Sequence, residues 1–317
     1  MNIIETKNLT KTFTSGSSVV TAVNGIDLAI RQGEIFGLLG TNGAGKTTTM
    51  RMLTTLLKPT DGTAIIGGFD LLTQEMHVRL CIGYVSQSGG LERSATGREN
   101  LILQAKIYNF SDTQAHERAK ELITALGLEA FADRLVETYS GGQRRRFDIA
   151  LGIVHKPKIL FLDEPTVGLD PHNRALLWQE IKKLNEAGTT IIITTHYLDE
   201  ADALCNRIAI VDQGKIVALD TPAALKRAIG KDVIALTIAP EKMMHAKELL
   251  MHLDGVKESF VHHDELHLAV QDGATLLPKL LHVCNEHNIQ LRAIALHQPT
   301  LDDVFLTKAG RTFESAN

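Results

Sequence analysis

Nine consecutive residues, Gly40-Thr41-Asn42-Gly43-Ala44-Gly45-Lys46-Thr47-Thr48, limit this chain's fold more than any other segment. They match the GxxxxGK[ST] pattern in full, with an apolar run before them (Ile35–Leu39) and a helical pattern after them (Lys46 to Leu57). Glycines let the backbone turn so that successive N–H groups point inward at phosphate oxygens. The following helix adds its positive N-terminal end. In such a strand–loop–helix the Lys46 ammonium reaches the β/γ-phosphates of a nucleotide, and the Thr47 hydroxyl is placed to ligate Mg²⁺.

The rest of the chain reads as an α/β protein around that loop. Residues 1–30 pattern as strands with a Gly/Ser turn at Ser15–Ser18. Helical spacing runs through 94–128, with Gly127 at a C-cap. From Ile159 onward, strands and helices alternate: Ile159–Leu162, a helix over Asn173–Ala187, Thr189–Thr195, a helix over Leu198–Cys205, then Arg207–Val211. That alternation predicts a mostly parallel sheet with helices on both faces. Near Thr221–Gly230 the pattern changes, and a βαββαβ order follows from Val233 to Leu296, which predicts a ferredoxin-like second domain. The last residues read as a loose tail.

Composition excludes several classes. Lys+Arg number 33 against 37 Asp+Glu, so no single-sign field favours nucleic acid or an anionic membrane. No apolar run approaches the roughly 20 residues needed to cross a bilayer. The start, MNIIETKNLTKTF, lacks the basic and apolar stretches of a signal peptide. Cys81, Cys205 and Cys284 have no metal-ligand spacing and read as reduced core thiols of a cytosolic protein.

Two further segments carry chemistry. Tyr139-Ser140-Gly141-Gly142-Gln143 is a second glycine-rich motif opening a helix. It reads equally well as a phosphate-gripping turn or as a plain N-cap, with Ser140 capping and Arg144–Arg146 on a solvated face. Downstream, the apolar strand Ile159–Leu162 ends in Asp163-Glu164-Pro165. A buried strand delivers Asp163 to a Mg²⁺ shell. Glu164 is placed to polarise a water for in-line attack on a γ-phosphate.

With these motifs in order, residues 1–225 resemble the ABC ATPase family. Tyr139–Gln143 is similar to its LSGGQ signature, with Tyr in place of the leading Leu. Gln87 matches the glutamine loop, Asp170 in Val167-Gly-Leu-Asp the loop after the acidic pair, and His196 in Thr194-Thr-His the switch histidine. Phe13 is similar in position to the adenine-stacking aromatic, against a simpler role as a core Phe on the first strand. The resemblance implies a P-loop NTPase fold of the ABC ATPase type, with a helical subdomain over about 88–157 and an accessory domain over 231–317. It implies ATP and Mg²⁺ as cofactors, with Glu164, His196 and Gln87 catalytic. Residues 40–48 and Phe13 would bind ATP, and Thr47, Gln87 and Asp163 would ligate the metal. The signature of one subunit would complete the ATP site of the other in a homodimer, with Asp170 at that interface.

The late string Pro299-Thr-Leu-Asp-Asp-Val-Phe305 looks like the daunorubicin-resistance type of exporter ATPase. That likeness implies export of a drug, antibiotic, lipid or polysaccharide through a separate membrane permease, from the cytoplasmic face of the plasma membrane. The segment Ser94–Leu101 would meet the permease. The alternative, a soluble ABC ATPase acting on nucleic acid or the ribosome, expects paired cassettes, coiled coils or basic tracts, none of which is present. His262, His263 and His267, beside Asp264 and Glu265, sit on a strand–turn–strand whose adjacent side chains point to opposite faces. That arrangement is a poor metal site.

Overall fold

The computed structural model describes residues 1–16, 18–262 and 265–309. A long hairpin opens the chain, with β1 (Asn2–Ser15) antiparallel to β2 (Ser18–Arg31). Next come β3 (Ile35–Leu39), α1 (Lys46–Leu53), β4 (Asp61–Ile66), β5 (Phe69–Asp70), α2 (Glu75–Cys81) and β6 (Ile82–Val85). Three helices follow, α3 (Gly97–Ile107), α4 (Asp112–Ala125) and α5 (Gly141–Gly152). Then β7 (Ile159–Asp163), α6 (Pro171–Glu186), β8 (Thr190–Thr195), α7 (Leu198–Leu204), β9 (Arg207–Asp212), β10 (Lys215–Asp220) and α8 (Pro222–Ile229) complete the larger part.

Two sheets organise it. The central one has strand order β10-β9-β3-β8-β7-β6, parallel throughout except for β10. Every residue of β3, β7 and β8 is buried, because helices or the second sheet cover both faces. The second sheet is antiparallel, β2-β1-β4-β5, and adds β4 and β5 to the strands expected over residues 1–30. Its short strands β4 and β5 escape the sequence pattern because only Ala64 and Ile66 of β4 turn inward. Helix α1 ends at Leu53, short of Leu57, where the Thr54 hydroxyl donates to the Met50 carbonyl and Thr55 turns to φ 63°. The helical spacing over 94–128 resolves into α3 and α4. Each begins with a reciprocal capping box, Thr96 with Glu99 and Ser111 with Gln114. Among the described residues, no helix is long and apolar enough to cross a membrane.

The C-terminal part follows as β11 (Asp232–Ile238), α9 (Pro240–Met251), β12 (Val256–His262), β13 (Glu265–Val270), α10 (Gly273–Glu286), β14 (Leu291–His297) and α11 (Leu301–Ala309). Its antiparallel order, β12-β13-β11-β14, is that of a ferredoxin-like sheet, as the βαββαβ pattern predicts. Helices α9 and α10 cover one face through Ile234, Leu236, Leu266 and Leu268. Helix α11 does not belong to that pattern. It packs against α7, α8 and β10 on one side and β12 on the other. Leu301, Val304 and Phe305 thereby join the same apolar core as Leu204, Leu225 and Ile229. The expected boundary at residue 225 falls inside α8, and residues 310–317, where the loose tail is expected, lie outside the described residues. The three cysteines are buried and unpaired, and burial pushes each thiol's pKa up.

Phe305 is fully buried where α11 meets the larger part. Phe305→Ala should cost about 3–5 kcal/mol, measured as a lowered urea midpoint. A midpoint unchanged from the parent would show that α11 does not hold the two parts together.

Candidate functional site

Strand order fixes the site before any side chain is considered. β3, β8 and β7 are neighbours and parallel, so the loops leaving their C-terminal ends lie side by side. That edge is where open α/β sheets hold ligands. Leu39 pairs with Thr195 and Asp163 with Thr194, and the Gly40 N–H donates to the Thr195 carbonyl at 3.4 Å. The glycine loop, the acidic pair and the segment leading to His196 therefore meet.

Within the loop, glycine is required sterically. A Cβ on Gly40 would lie 2.4 Å from the Val211 carbonyl oxygen. One on Gly45, whose φ is 105°, would lie 2.4 Å from that of Ala22. The chain thus reverses against the sheet and the β2 strand, and α1 starts immediately at Lys46. A cavity of about 620 Å³ opens above it, lined among others by Ala22, Gly43, Thr47, Gln87, Glu164 and His196.

Lys46 is buried, and its Nζ donates to the carbonyls of Gly40 (2.8 Å) and Thr41 (3.0 Å). Burial lowers its pKa, and the carboxylates of Glu164 and Asp163 oppose that shift. Glu164 gathers the predicted residues around itself. Lys46 Nζ is 3.7 Å from Oε1, His196 Nδ1 is 3.3 Å from Oε1, and Gln87 Nε2 donates to Oε2 at 3.3 Å. The Glu164 backbone sits at φ 45°, an uncommon conformation for a residue other than glycine, costing about 1–3 kcal/mol. Its N–H is held there by the carbonyl (3.1 Å) and hydroxyl (3.0 Å) of Thr194.

Asp163 lies beneath. The Thr194 hydroxyl donates to its Oδ1 at 2.5 Å, the Thr47 hydroxyl at 3.2 Å, and the Tyr84 hydroxyl donates to Oδ2 at 3.4 Å. The Tyr84 phenol is pushed up to about 12, chiefly by burial and then by the Asp163 charge, so it remains a donor. Thr47, Asp163 and Gln87 each carry a side-chain oxygen, the donor type that suits Mg²⁺ rather than a softer metal. Buried His196 Nδ1 makes no hydrogen bond and faces the Glu164 carboxylate, while the residue itself lines the cavity. The residues present therefore fit a Mg²⁺-nucleotide.

Other predicted residues stand elsewhere. Tyr139–Gln143 does not line the cavity of its own chain. Ser140 caps α5 in a reciprocal box with Gln143 and is exposed. Tyr139 is buried against Phe131 and Phe147; its hydroxyl donates to the Phe131 carbonyl at 2.7 Å and accepts from the Gly97 N–H at 3.2 Å. Asp170 is exposed and caps α6 through the Asn173 N–H at 2.9 Å; Asn173 also holds its carboxyl below the usual carboxylate range. Phe13 is 44% exposed on β1 beneath the Lys11 ammonium, so a core role does not account for it.

Arg145 corrects the sequence reading. Of the three arginines expected on a solvated face, it is buried. Its guanidinium donates to the carbonyls of Pro165 (2.8 Å), Ser86 (2.7 Å) and Asp163 (2.9 Å). Burial lowers its pKa, opposed by the charges of Asp148 and Asp163. The contacts of Thr194, Tyr84 and Arg145 are not legible in the sequence because their partners are 18 to 79 residues away.

Residues 23–167 match the ABC transporter family, and residues 221–309 match the C-terminal domain family of DrrA1-3-like ATP-binding proteins. The chain is 41% identical to the daunorubicin/doxorubicin resistance ATP-binding protein DrrA of Streptomyces peucetius, covering 97% of this chain and 92% of that protein. It is 37% identical to the Nod factor export ATP-binding protein I of Burkholderia lata, over 98% of each chain. Among solved structures it resembles a dimeric ATP-binding cassette in a post-hydrolysis state bound to ADP and Pi. That likeness has 30% identity and a TM-score of 0.63, and it covers 69% of this chain and 98% of that one.

Arg145→Lys keeps a positive charge but cannot serve three diverging carbonyls. It should lose about 1–3 kcal/mol for each carbonyl left unpaired, read from urea denaturation. Stability equal to the parent's would mean that the three carbonyls find other donors.

Proposed function

The chain belongs to the ABC transporter family of ATP-binding proteins, in the daunorubicin-resistance branch, and we propose that it hydrolyses ATP as a homodimer to energise an exporter whose membrane permease is a separate polypeptide. The observation that carries this reading is the convergence of Lys46, Gln87 and His196 on Glu164, with the signature motif absent from the same cavity. Such a site is complete on the hydrolytic side and incomplete on the opposite one. A second copy, facing it head to tail, supplies Ser140 and the N-terminal amides of α5.

In this reading residues 40–48 cradle the phosphates and Lys46 leaves its loop carbonyls for the β/γ-phosphate oxygens. Mg²⁺ held by Thr47, Asp163 and Gln87 would neutralise charge developing on the transferred phosphoryl group. Glu164, which lines the cavity, accepts the proton of a water lined up with the γ-phosphorus. His196 donates from the ring edge to the γ-phosphate. Phe13 stacks on the adenine, and Asp170 stiffens the loop that meets the partner subunit. Residues 1–225 form the ATP-binding domain and 231–317 the accessory one. The site of action is the cytoplasmic face of the plasma membrane, through the permease. The cargo is a drug, antibiotic, lipid or polysaccharide, in keeping with the drug-resistance and Nod-factor names of the relatives.

Glu164→Gln should retain ATP binding while turnover falls by about 10²–10⁴, and an ATP-bound dimer should accumulate on size exclusion. Hydrolysis at the parent rate would remove Glu164 as the catalytic carboxylate. Ser140→Ala and Gly141→Asp should bind ATP to the monomer as the parent does, yet fail to hydrolyse it. Turnover by such variants as monomers, measured at a protein concentration too low to dimerise, would contradict a shared site.

A further inference from the structure

The outer face of the C-terminal sheet carries a second concentration of chemistry. Strand alternation turns Leu266, Leu268 and Val270 toward α9 and α10, which leaves Glu265, His267 and Ala269 on the opposite face. His267 pairs with Phe260 on one neighbouring strand and with Ala235 on the other. Only the Ala235 methyl stands between it and β14, so the rings of His267 and His297 approach to 6.3 Å between centroids. Helix α11 crosses this face and brings down Asp303, whose side chain is 4% exposed.

Each member of the group is held, and each has an atom to spare. Asp303 closes a capping box: the N–H and hydroxyl of Thr300 both donate to Oδ2 at 2.8 Å, and Oδ1 faces His267 Nδ1 at 3.6 Å. His267 is 8% exposed, stacks on Phe260 at 5.1 Å, and makes no hydrogen bond at either ring nitrogen. Behind it, Glu265 Oε2 lies 3.4 Å from Nε2, and Glu265 Oε1 accepts from the Thr237 hydroxyl at 3.1 Å. His297 Nδ1 lies 3.9 Å from Asp303 Oδ2 and 2.9 Å from the Gln298 carbonyl oxygen. One ligand atom from each of His267, His297 and Asp303 lies within 4.8 Å of the other two.

We propose that His267, His297 and Asp303 bind a borderline divalent cation of the Zn²⁺ class, which staples α11 to the C-terminal sheet. Two imidazoles and one carboxylate suit Zn²⁺ and disfavour Mg²⁺ or Ca²⁺, which take oxygen ligands. Two bonds of about 2.1 Å spanning the 3.6 Å gap between His267 and Asp303 subtend about 118°, close to tetrahedral. The Glu265 carboxylate keeps the proton on Nε2 of His267 and turns the Nδ1 lone pair toward the ion, as carboxylates behind ligating histidines do. A plain imidazolium bridge from His267 to Asp303 and Glu265 fits less well, because charge-assisted hydrogen bonds close to about 2.7–2.9 Å and these gaps are 3.6 and 3.4 Å. The cluster differs from the His262, His263 and His267 set that the sequence suggests and discounts; of those, His263 lies outside the described residues.

The test uses the untagged full-length chain, stripped with a chelator and free of nucleotide, and titrates it with Co²⁺ and then Zn²⁺. One equivalent of Co²⁺ should give intense visible d–d bands, Zn²⁺ should abolish them, and Zn²⁺ should raise the melting temperature. His297 is partly exposed, so His297→Gln should fold; it should weaken Co²⁺ binding by at least about tenfold and remove the Zn²⁺-induced shift. Glu265→Gln should keep the bands and weaken binding by about 10–100-fold, which marks it as a positioning residue. His282→Gln, at a side chain 75% exposed on α10, should change nothing. Absence of d–d bands in the parent, or Co²⁺ affinity in His297→Gln within about twofold of the parent's, would overturn the proposal.

Discussion

The geometry of the catalytic edge depends on one buried cation. Arg145 leaves the first turns of α5 and ends among three carbonyls that belong to separate loops: Ser86 before the glutamine loop, Asp163 at the end of β7, and Pro165 after the acidic pair. A guanidinium out of water must have its N–H groups satisfied, and its planar fork reaches three directions at once. The signature helix, the Gln87 loop and the Asp163-Glu164 turn are therefore fixed relative to one another by a single side chain. Gly142 adds a steric link to the same assembly, since a Cβ there would meet the Asn173 side chain at 2.7 Å. The Tyr139–Gln143 motif is thus built into the same frame as Gln87 and Glu164.

Strain and support are paired at Glu164. Its left-handed backbone is unfavourable, and two hydrogen bonds from one residue, Thr194, hold it in place. The Thr194 hydroxyl accepts from the Glu164 N–H and donates to Asp163, so it fixes the Glu164 backbone and the Asp163 carboxylate together. Thr194 lies on β8, the strand that leads to His196, which makes the strand pairing itself the support of the Asp163-Glu164 turn.

Legibility followed sequence distance. The glycine loop, the signature, the acidic pair and the Thr-Thr-His segment are contiguous, and each sits where a strand meets a loop or a helix begins, so spacing alone exposes them. The βαββαβ order survived for the same reason: its strands are six or seven residues with clear alternation or apolar runs. What escaped is long-range. Arg145 looks like one basic residue of three, and nothing local distinguishes the buried arginine from its half-buried neighbours Arg144 and Arg146. Tyr139 departs from the family's leucine, yet its hydroxyl is satisfied by groups 8 and 42 residues away. The histidine cluster combines β13, β14 and α11, whereas local spacing points to a hairpin.

Helix α11 has a mechanical consequence. A domain joined by one covalent linker, here the extended Gly230 between α8 and β11, can swivel about it. This one is fastened twice, because the last helix returns across the linker and buries Leu301, Val304 and Phe305 beside Leu204 of α7. Two separated attachments remove the torsional freedom that a single one leaves. Since α7 begins two positions after His196, the strand end that carries this histidine is joined to the C-terminal sheet through packed side chains as well as through the linker.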